Sequence, residues 1–237
     1  MKRFSLTLLS LLLIGSVAMA QSDSTKRQLS YPDLPGHLIV DFGFNFWNGG
    51  ADTLSSNLWG SKSVGLYYIG NYRIGQTPFS FSPGLGLSME KYAFDNDVNL
   101  VPGTDGAEIA FLQTTYPGAT IDKTKLAATY LEAPLELRFH ANRRNPDRGF
   151  KVAVGFKAGL LMSTHSKVVG DNGDAFTAKY KNDFSLNTFR GSAIGRIGFS
   201  GVNLFFEKSL TELFKSGEAP EDLNITPFKI GFSFTGF

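Results

Sequence analysis

The feature that most constrains this chain is a two-residue alternation of apolar side chains, carried by eight separate segments. The first places Leu38, Val40, Phe42, Phe44 and Phe46 on one face, against Ile39, Asp41, Gly43 and Asn45 on the other. Successive side chains of a β-strand point to opposite faces, so this period predicts strands with one apolar face each. The second segment carries Val64, Leu66, Tyr68, Tyr72 and Ile74, and the third Phe79, Phe81, Leu85, Leu87 and Met89. The fourth runs through Leu131, Ala133, Leu135, Leu137 and Phe139, and the fifth from Phe150 through Val154 and Leu160 to Met162. Phe189, Ala193, Ile197 and Phe199 mark the sixth, Val202, Leu204, Phe206 and Leu210 the seventh, and Phe228, Ile230, Phe232 and Phe234 the eighth.

Between these segments the connections alternate in length. Long ones lie near 47–62, 95–122, 165–183 and 211–225, and short ones near 75–78, 140–149 and 200–201. Long outer loops alternating with short periplasmic turns are the pattern of a membrane barrel whose two ends lie in the periplasm. The expected fold is therefore all-β, an eight-stranded antiparallel up-and-down transmembrane β-barrel.

Alternation alone leaves open which way the apolar face points, and the opposite face decides it. The apolar positions of all eight segments hold no Asp, Glu, Lys or Arg. The other face mixes Gly43, Gly65, Gly84, Gly86, Ser88, Gly155, Gly159, Gly198 and Gly231 with charged residues. Glycine weakens a strand and serves little purpose on a soluble surface, whereas a narrow lumen needs small residues beside large ones. The charges are Asp41, Glu90, Glu132, Glu136 and Glu207 with Arg138, Lys157, Arg190, Arg196 and Lys229, five acids and five bases. Buried charge is tolerable when paired, so these ten predict ion pairs inside the barrel and not an open pore.

The organisation around the barrel is simple. Residues 1–20, with Lys2 and Arg3, the apolar run Leu8 to Ile14 and Ala18-Met19-Ala20, read as a signal peptide cleaved before Gln21. Residues 21–36 read as a flexible periplasmic lead-in and residues 37–237 as the outer-membrane barrel domain. Without the signal, the formal charge falls from +2 to zero, which argues against nucleic acid as a partner. The absence of cysteine excludes disulfides and thiolate chemistry. Trp47, Trp59, Tyr72, Tyr92, Phe139 and Tyr180 are expected at the membrane interfaces. Phe237, in the terminal strand, resembles the aromatic signal read by the barrel assembly machinery, although it is out of phase with Phe234.

No catalytic, cofactor-binding or metal-binding residue is assigned. His37, His140 and His165 share no metal-ligand spacing, and Asp95-Asn96-Asp97 and Asp171-Asn172-Gly173-Asp174 lack a full calcium loop. Ser163 and His165 share a face at the end of the fifth strand, as a nucleophile and base would. By phase that face is the lumen, away from an arriving acyl chain. Arg143, Arg144, Asp147, Arg148 and Lys151 make a basic periplasmic turn, and the apolar loop from Val98 to Ile121 is expected to fold over the mouth or bind a partner. Pro134 lacks a ladder donor and predicts a bulge or bend, with Glu132 and Glu136 flanking it on the lumen side.

The segment Tyr130-Leu131-Glu132-Ala133-Pro134-Leu135-Glu136-Leu137-Arg138-Phe139 resembles the YLEIPL-type stretch of the PorT-like, porin-family outer-membrane β-barrels of Bacteroidetes. The glycine-rich stretch Gly155 to Gly159 sits where those proteins have one as well. The resemblance implies an outer-membrane barrel, and one branch of that family serves type IX protein secretion. The expected function is a non-enzymatic structural or interaction component of the outer membrane, in contact with outer-membrane lipid, the assembly machinery and a periplasmic or extracellular protein. Alternatives are a secretion-system component, a narrow channel, a lipid A-modifying hydrolase, and a secreted soluble ligand-binding β-barrel.

Overall fold

The computed structural model describes residues 36–49, 54–95, 97–103, 106–142 and 149–235. The expected signal peptide, nearly all of the expected lead-in, the Arg143, Arg144, Asp147 and Arg148 part of the expected basic turn, and Phe237 lie outside the described residues. In chain order the elements are β1 (Gly36–Asn48), β2 (Ser56–Gly70), β3 (Tyr72–Arg73), β4 (Phe79–Phe94), β5 (Val98–Pro102) and β6 (Ala107–Phe111). A one-turn helix α1 (Leu112–Thr115) follows, then β7 (Thr120–His140), β8 (Phe150–Asp171), β9 (Ala175–Tyr180), β10 (Phe189–Phe199), β11 (Val202–Ser209) and β12 (Thr226–Thr235).

Strands β1, β2, β4, β7, β8, β10, β11 and β12 pair in that order, each antiparallel to the next, and β12 pairs back to β1. The sheet closes on itself as an eight-stranded barrel, so none of these eight strands is left as an open edge of the wall. Each expected strand is present. Four of them run further than their apolar stretch: β2 begins at Ser56, β4 continues to Phe94, β7 begins at Thr120 and β8 continues to Asp171. The expected loops at 47–62, 95–122 and 165–183 are correspondingly shorter or structured. A β5–β6 hairpin fills part of the second, and β9 adds to the outer end of β8 in the third. These extensions mix polar with apolar residues, so they lacked the clean alternation that marks a strand facing lipid.

The apolar face points outward all round. Met89 is 59% exposed, Phe199 67% and Phe232 56%, with Phe42, Leu66, Leu87, Leu137, Phe156, Leu204 and Ile230 beside them. Monomeric soluble proteins rarely leave an apolar surface of this extent open to water. Along β4 the band runs from Phe79 to Met89, ten residue steps. At ~3.4 Å per residue and a tilt of ~40° that is roughly 25 Å of height, the thickness of the apolar belt of an outer-membrane barrel. Phe79 and Phe139, with centroids 5.5 Å apart, end the band at one rim, and Phe44 packs edge-on to Trp59 at 5.9 Å near the other.

Two expected interface aromatics turn inward instead. Tyr92 is fully buried, its hydroxyl donating to Glu90 at 2.9 Å, and Trp47 packs against it at 5.1 Å. Tyr92 occupies the inward phase of β4, beside Glu90, so its ring cannot reach the membrane.

Pro134 makes no bulge, but its ladder to β4 lapses there, passing from Pro83–Leu135 to Gly86–Glu132 without a change of register. Pro134 stays in register with Lys157 on β8, and Gly84 on β4 accommodates its ring: a Cβ on Gly84 would lie 3.0 Å from Pro134 Cγ. A bulge lies higher, where Thr129 pairs with Ser163 but Tyr130 pairs with Leu161, leaving Met162 as the extra residue. One extra residue inverts the side-chain phase. Above it Thr164, Ser166 and Val168 point inward while Ser163 and His165 point outward, so the expected lumen position of that pair is corrected.

Candidate functional site

The lumen is the chemically dense part of the molecule. It exists because glycines stand where the wall must come close. Gly43 pairs directly with Gly231, and a Cβ on Gly231 would lie 2.0 Å from the Phe42 carbonyl oxygen. The space left by such positions is filled by the ten charged side chains, all of them buried.

Six of these form a closed ring of alternating sign. Arg190 bonds Glu90 at 2.5 Å and Glu132 at 2.6 Å. Lys157 joins Glu132 at 3.2 Å to Glu207 at 2.7 Å, and Lys229 joins Glu207 at 2.8 Å back to Glu90 at 2.7 Å. Each acid touches two bases and each base two acids, so the ring is neutral and has no open end.

Tyrosines line it. Tyr67 accepts from Lys157 at 2.9 Å and donates to Glu132 at 2.6 Å, and the Arg190 guanidinium lies 3.8 Å from the centre of the Tyr130 ring. An aromatic face beside a desolvated guanidinium adds a favourable cation–π contact.

The remaining four charges form a second chain nearer the short-turn end. Arg196 grips Asp41 with both terminal nitrogens at 2.8 Å and reaches Glu136 through Nε at 3.0 Å. Arg138 completes it, donating to Glu136 at 2.9 and 2.7 Å, and Arg196 also donates to Ser233. The void beside Arg138, Arg196 and Asn203 is about 30 Å³, room for a water or two.

Glu132 and Glu136 thus stand where the sequence placed them, and the bases they meet include Arg138, Lys157 and Arg196. Arg190 was recognised as a lumen charge but not as the hinge between Glu90 and Glu132, since partners one hundred residues apart leave no local signal. The lumen tyrosines Tyr67 and Tyr130 were missed, although both sit in the inward phase of their strands.

At the long-loop mouth a second core covers the barrel. Val98, Leu100 and Ala107 from the β5–β6 hairpin pack with Leu54, Phe94, Leu126, Phe184, Leu186, Leu213, Phe214 and Ile225. Asn99 Nδ2 ties the hairpin to Ser166 of β8 at 3.2 Å. Lys215 N donates to Ser185 O at 2.8 Å and Asn187 Nδ2 to Phe214 O at 2.7 Å, joining the last two outer loops. The loop from Val98 to Ile121 folds over the mouth, one of the two expectations for it.

The other candidates fall apart from one another. His140 is buried at the short-turn rim with Nε2 2.9 Å from Ser80 Oγ. Asp171 accepts from Gly173 N at 2.8 Å in the turn between β8 and β9, and Asp95 accepts from Asn57 at 2.7 Å. His165 faces outward, and no acid among the described residues orients it. Burial, then Lys179, Lys125, Lys181 and Lys167, hold its pKa below the usual imidazole value.

A family described as "Outer membrane protein beta-barrel domain" matches residues 19–215. Among solved structures, one similar chain is Ail, the attachment invasion locus protein of Yersinia pestis, solved with the heparin analogue sucrose octasulfate. It shares 10% identity at a TM-score of 0.36, over 85% of this chain and 99% of that one. Another, from work titled "Asymmetric conductivity of engineered proteins", shares 11% identity at a TM-score of 0.20 over the same fractions. No curated protein matches the sequence.

Proposed function

This chain belongs to the outer membrane protein β-barrel domain family, and we propose that within it the protein is a non-enzymatic structural or interaction component whose specificity lies on its surfaces. The observation that carries this reading is the closed ring of Glu90, Arg190, Glu132, Lys157, Glu207 and Lys229 across the lumen, beneath a mouth covered by apolar loops. A barrel of eight strands filled in this way has side chains where a channel needs water. Planar-bilayer recording of the purified protein tests it, with no steady conductance expected. Stepwise, reproducible openings would favour the narrow-channel alternative.

The secreted ligand-binding barrel needs its apolar face inside, and that face is outside. For the hydrolase, the outward turn of Ser163 and His165 supplies access from the lipid side, but the imidazole lies among lysines with no orienting acid among the described residues. Replacing His165 with Ala should leave the lipid A acylation profile, followed by mass spectrometry, unchanged.

Membership in the PorT-like, secretion-serving branch rests on the Tyr130–Phe139 stretch. Its two glutamates are committed to internal pairs, so a protein partner would have to be held by loops or turns. Mild crosslinking in intact membranes followed by co-purification tests this branch, and recovery of periplasmic secretion components would support it.

A further inference from the structure

One outward surface breaks the apolar rule of the wall. Lys62 and Lys91 face each other across β2 and β4, Lys125 faces Lys167 across β7 and β8, and Lys167 faces Lys179 across β8 and β9. All five share the outward phase with the lipid-facing residues: Lys62 follows the phase of Val64 and Leu66, and Lys91 that of Met89 and Leu87. Directly opposed residues on one sheet face stand ~5 Å apart at Cβ, and like charges there repel.

Among the described residues none of the five makes an ion pair. The nearest acids in sequence are engaged or displaced. Glu90 belongs to the lumen ring, Asp95 is bonded to Asn57, Asp122 is bulged out of the register between Ile121 and Lys123, Asp171 accepts from Gly173 N, and Asp183 holds Lys215. Lys125 feels the crowding: partial burial, then Lys91, Lys167, Lys123 and Lys179, hold its ammonium below the usual lysine pKa. A wall that sets like charges opposite one another without acids is arranged for anions that come from outside the chain.

Their depth says which anions. Lys91 stands two residues beyond Met89, the upper end of the 25 Å band, so its ammonium lies ~7 Å further along the strand, at headgroup level. The long outer loops place this rim on the extracellular side, where the outer leaflet meets the wall. We propose that Lys62, Lys91, Lys125, Lys167 and Lys179 form a docking row for the phosphates of a phosphorylated glycolipid of the lipid A class, held against the β2–β9 side of the barrel. This rests on the outer-membrane reading of the chain and adds to it a particular lipid partner and a side of the barrel.

The test uses the mature protein in zwitterionic phosphocholine micelles, its fold verified by the mobility of unboiled material on a denaturing gel. Bisphosphorylated lipid A, the same lipid after dephosphorylation, and inorganic phosphate are offered in turn, and lipid retained per protein is read by native mass spectrometry. Wild type should retain the bisphosphorylated lipid and not the dephosphorylated one. Each lysine removed in Lys125→Gln and Lys167→Gln should weaken retention roughly fivefold. Lys208→Gln, outward on the opposite wall, should retain it as wild type does. Lys167→Glu, whose carboxylate meets Lys125 and Lys179 in register, should fold and also lose the lipid.

Equal retention of the dephosphorylated lipid, or full retention by the Gln and Glu variants, overturns the row. Displacement of the lipid by inorganic phosphate at equal concentration overturns its assignment to a lipid. Cell fractionation keeps the two readings apart: protein found outside the outer membrane overturns the placement itself, whereas outer-membrane protein without phosphate dependence overturns only the lysine row.

Discussion

Each residue of the lumen ring owes its burial to two opposite charges, which fixes what its removal does. Lys157→Met leaves Glu132 and Glu207 each short of a base in a space closed to water. Breaking a buried pair on one side costs about 3–5 kcal/mol, while removing both partners is far milder. Urea unfolding followed by tryptophan fluorescence should show that loss for Lys157→Met. Adding Glu207→Gln should recover much of it, because the four charges that remain, Glu90, Arg190, Glu132 and Lys229, are neutral together. The glycines sort in a similar way. Gly231→Ala, whose new methyl meets the Phe42 carbonyl, should destabilise by about 1–3 kcal/mol. Gly195→Ala, with its nearest neighbour 4.0 Å away on the outward face, should not.

At the level of elements, strands β7 and β8 do two jobs along one length. Below Met162 they are barrel wall, with even-numbered residues of β8 outward, and above it they are an exposed extension that carries β9 and part of the docking row. The bulge is what allows both, because it turns Thr164, Ser166 and Val168 inward toward the capping loops and His165 and Lys167 outward. Deleting Met162 would remove the extra residue and make Tyr130–Leu161 and Thr129–Ser163 consecutive pairs, so Thr164, Ser166 and Val168 stay inward and Ser166 still meets Asn99. The variant should keep its heat-dependent gel shift and the resistance of its outer loops to added protease. Faster cleavage of those loops would mean that the bulge itself, and not the phase it sets, holds the cap.

For the whole molecule, charge is divided by environment. The lumen pairs are enclosed, and enclosed pairs are screened little by salt, whereas exposed charges are screened within a Debye length of about 8 Å at physiological ionic strength. The urea midpoint in neutral detergent should therefore move little between low and high salt. Retention of phosphorylated lipid by the outward lysines should fall steeply over the same range. A midpoint that collapsed with salt would mean that water and ions enter the lumen.

The alternation of Phe42 with Asp41 and Gly43, of Met89 with Glu90, and of Phe232 with Gly231 by itself determined the eight strands of the barrel and the direction of the apolar face. It could do so because lipid and lumen impose opposite demands on neighbouring positions, and that opposition is written residue by residue. The identity of the ten lumen charges was legible for the same reason. Their partners were not: Arg196 meets Asp41 from 155 positions away, and only closure of the barrel brings β1 and β10 to opposite walls of one narrow space. The inward turn of Tyr92, the bulge at Met162 and the lysines brought face to face across β2 to β9 were likewise decided by the tertiary structure. Register is a property of paired strands, and a single extra residue in one of them reassigns every side chain beyond it.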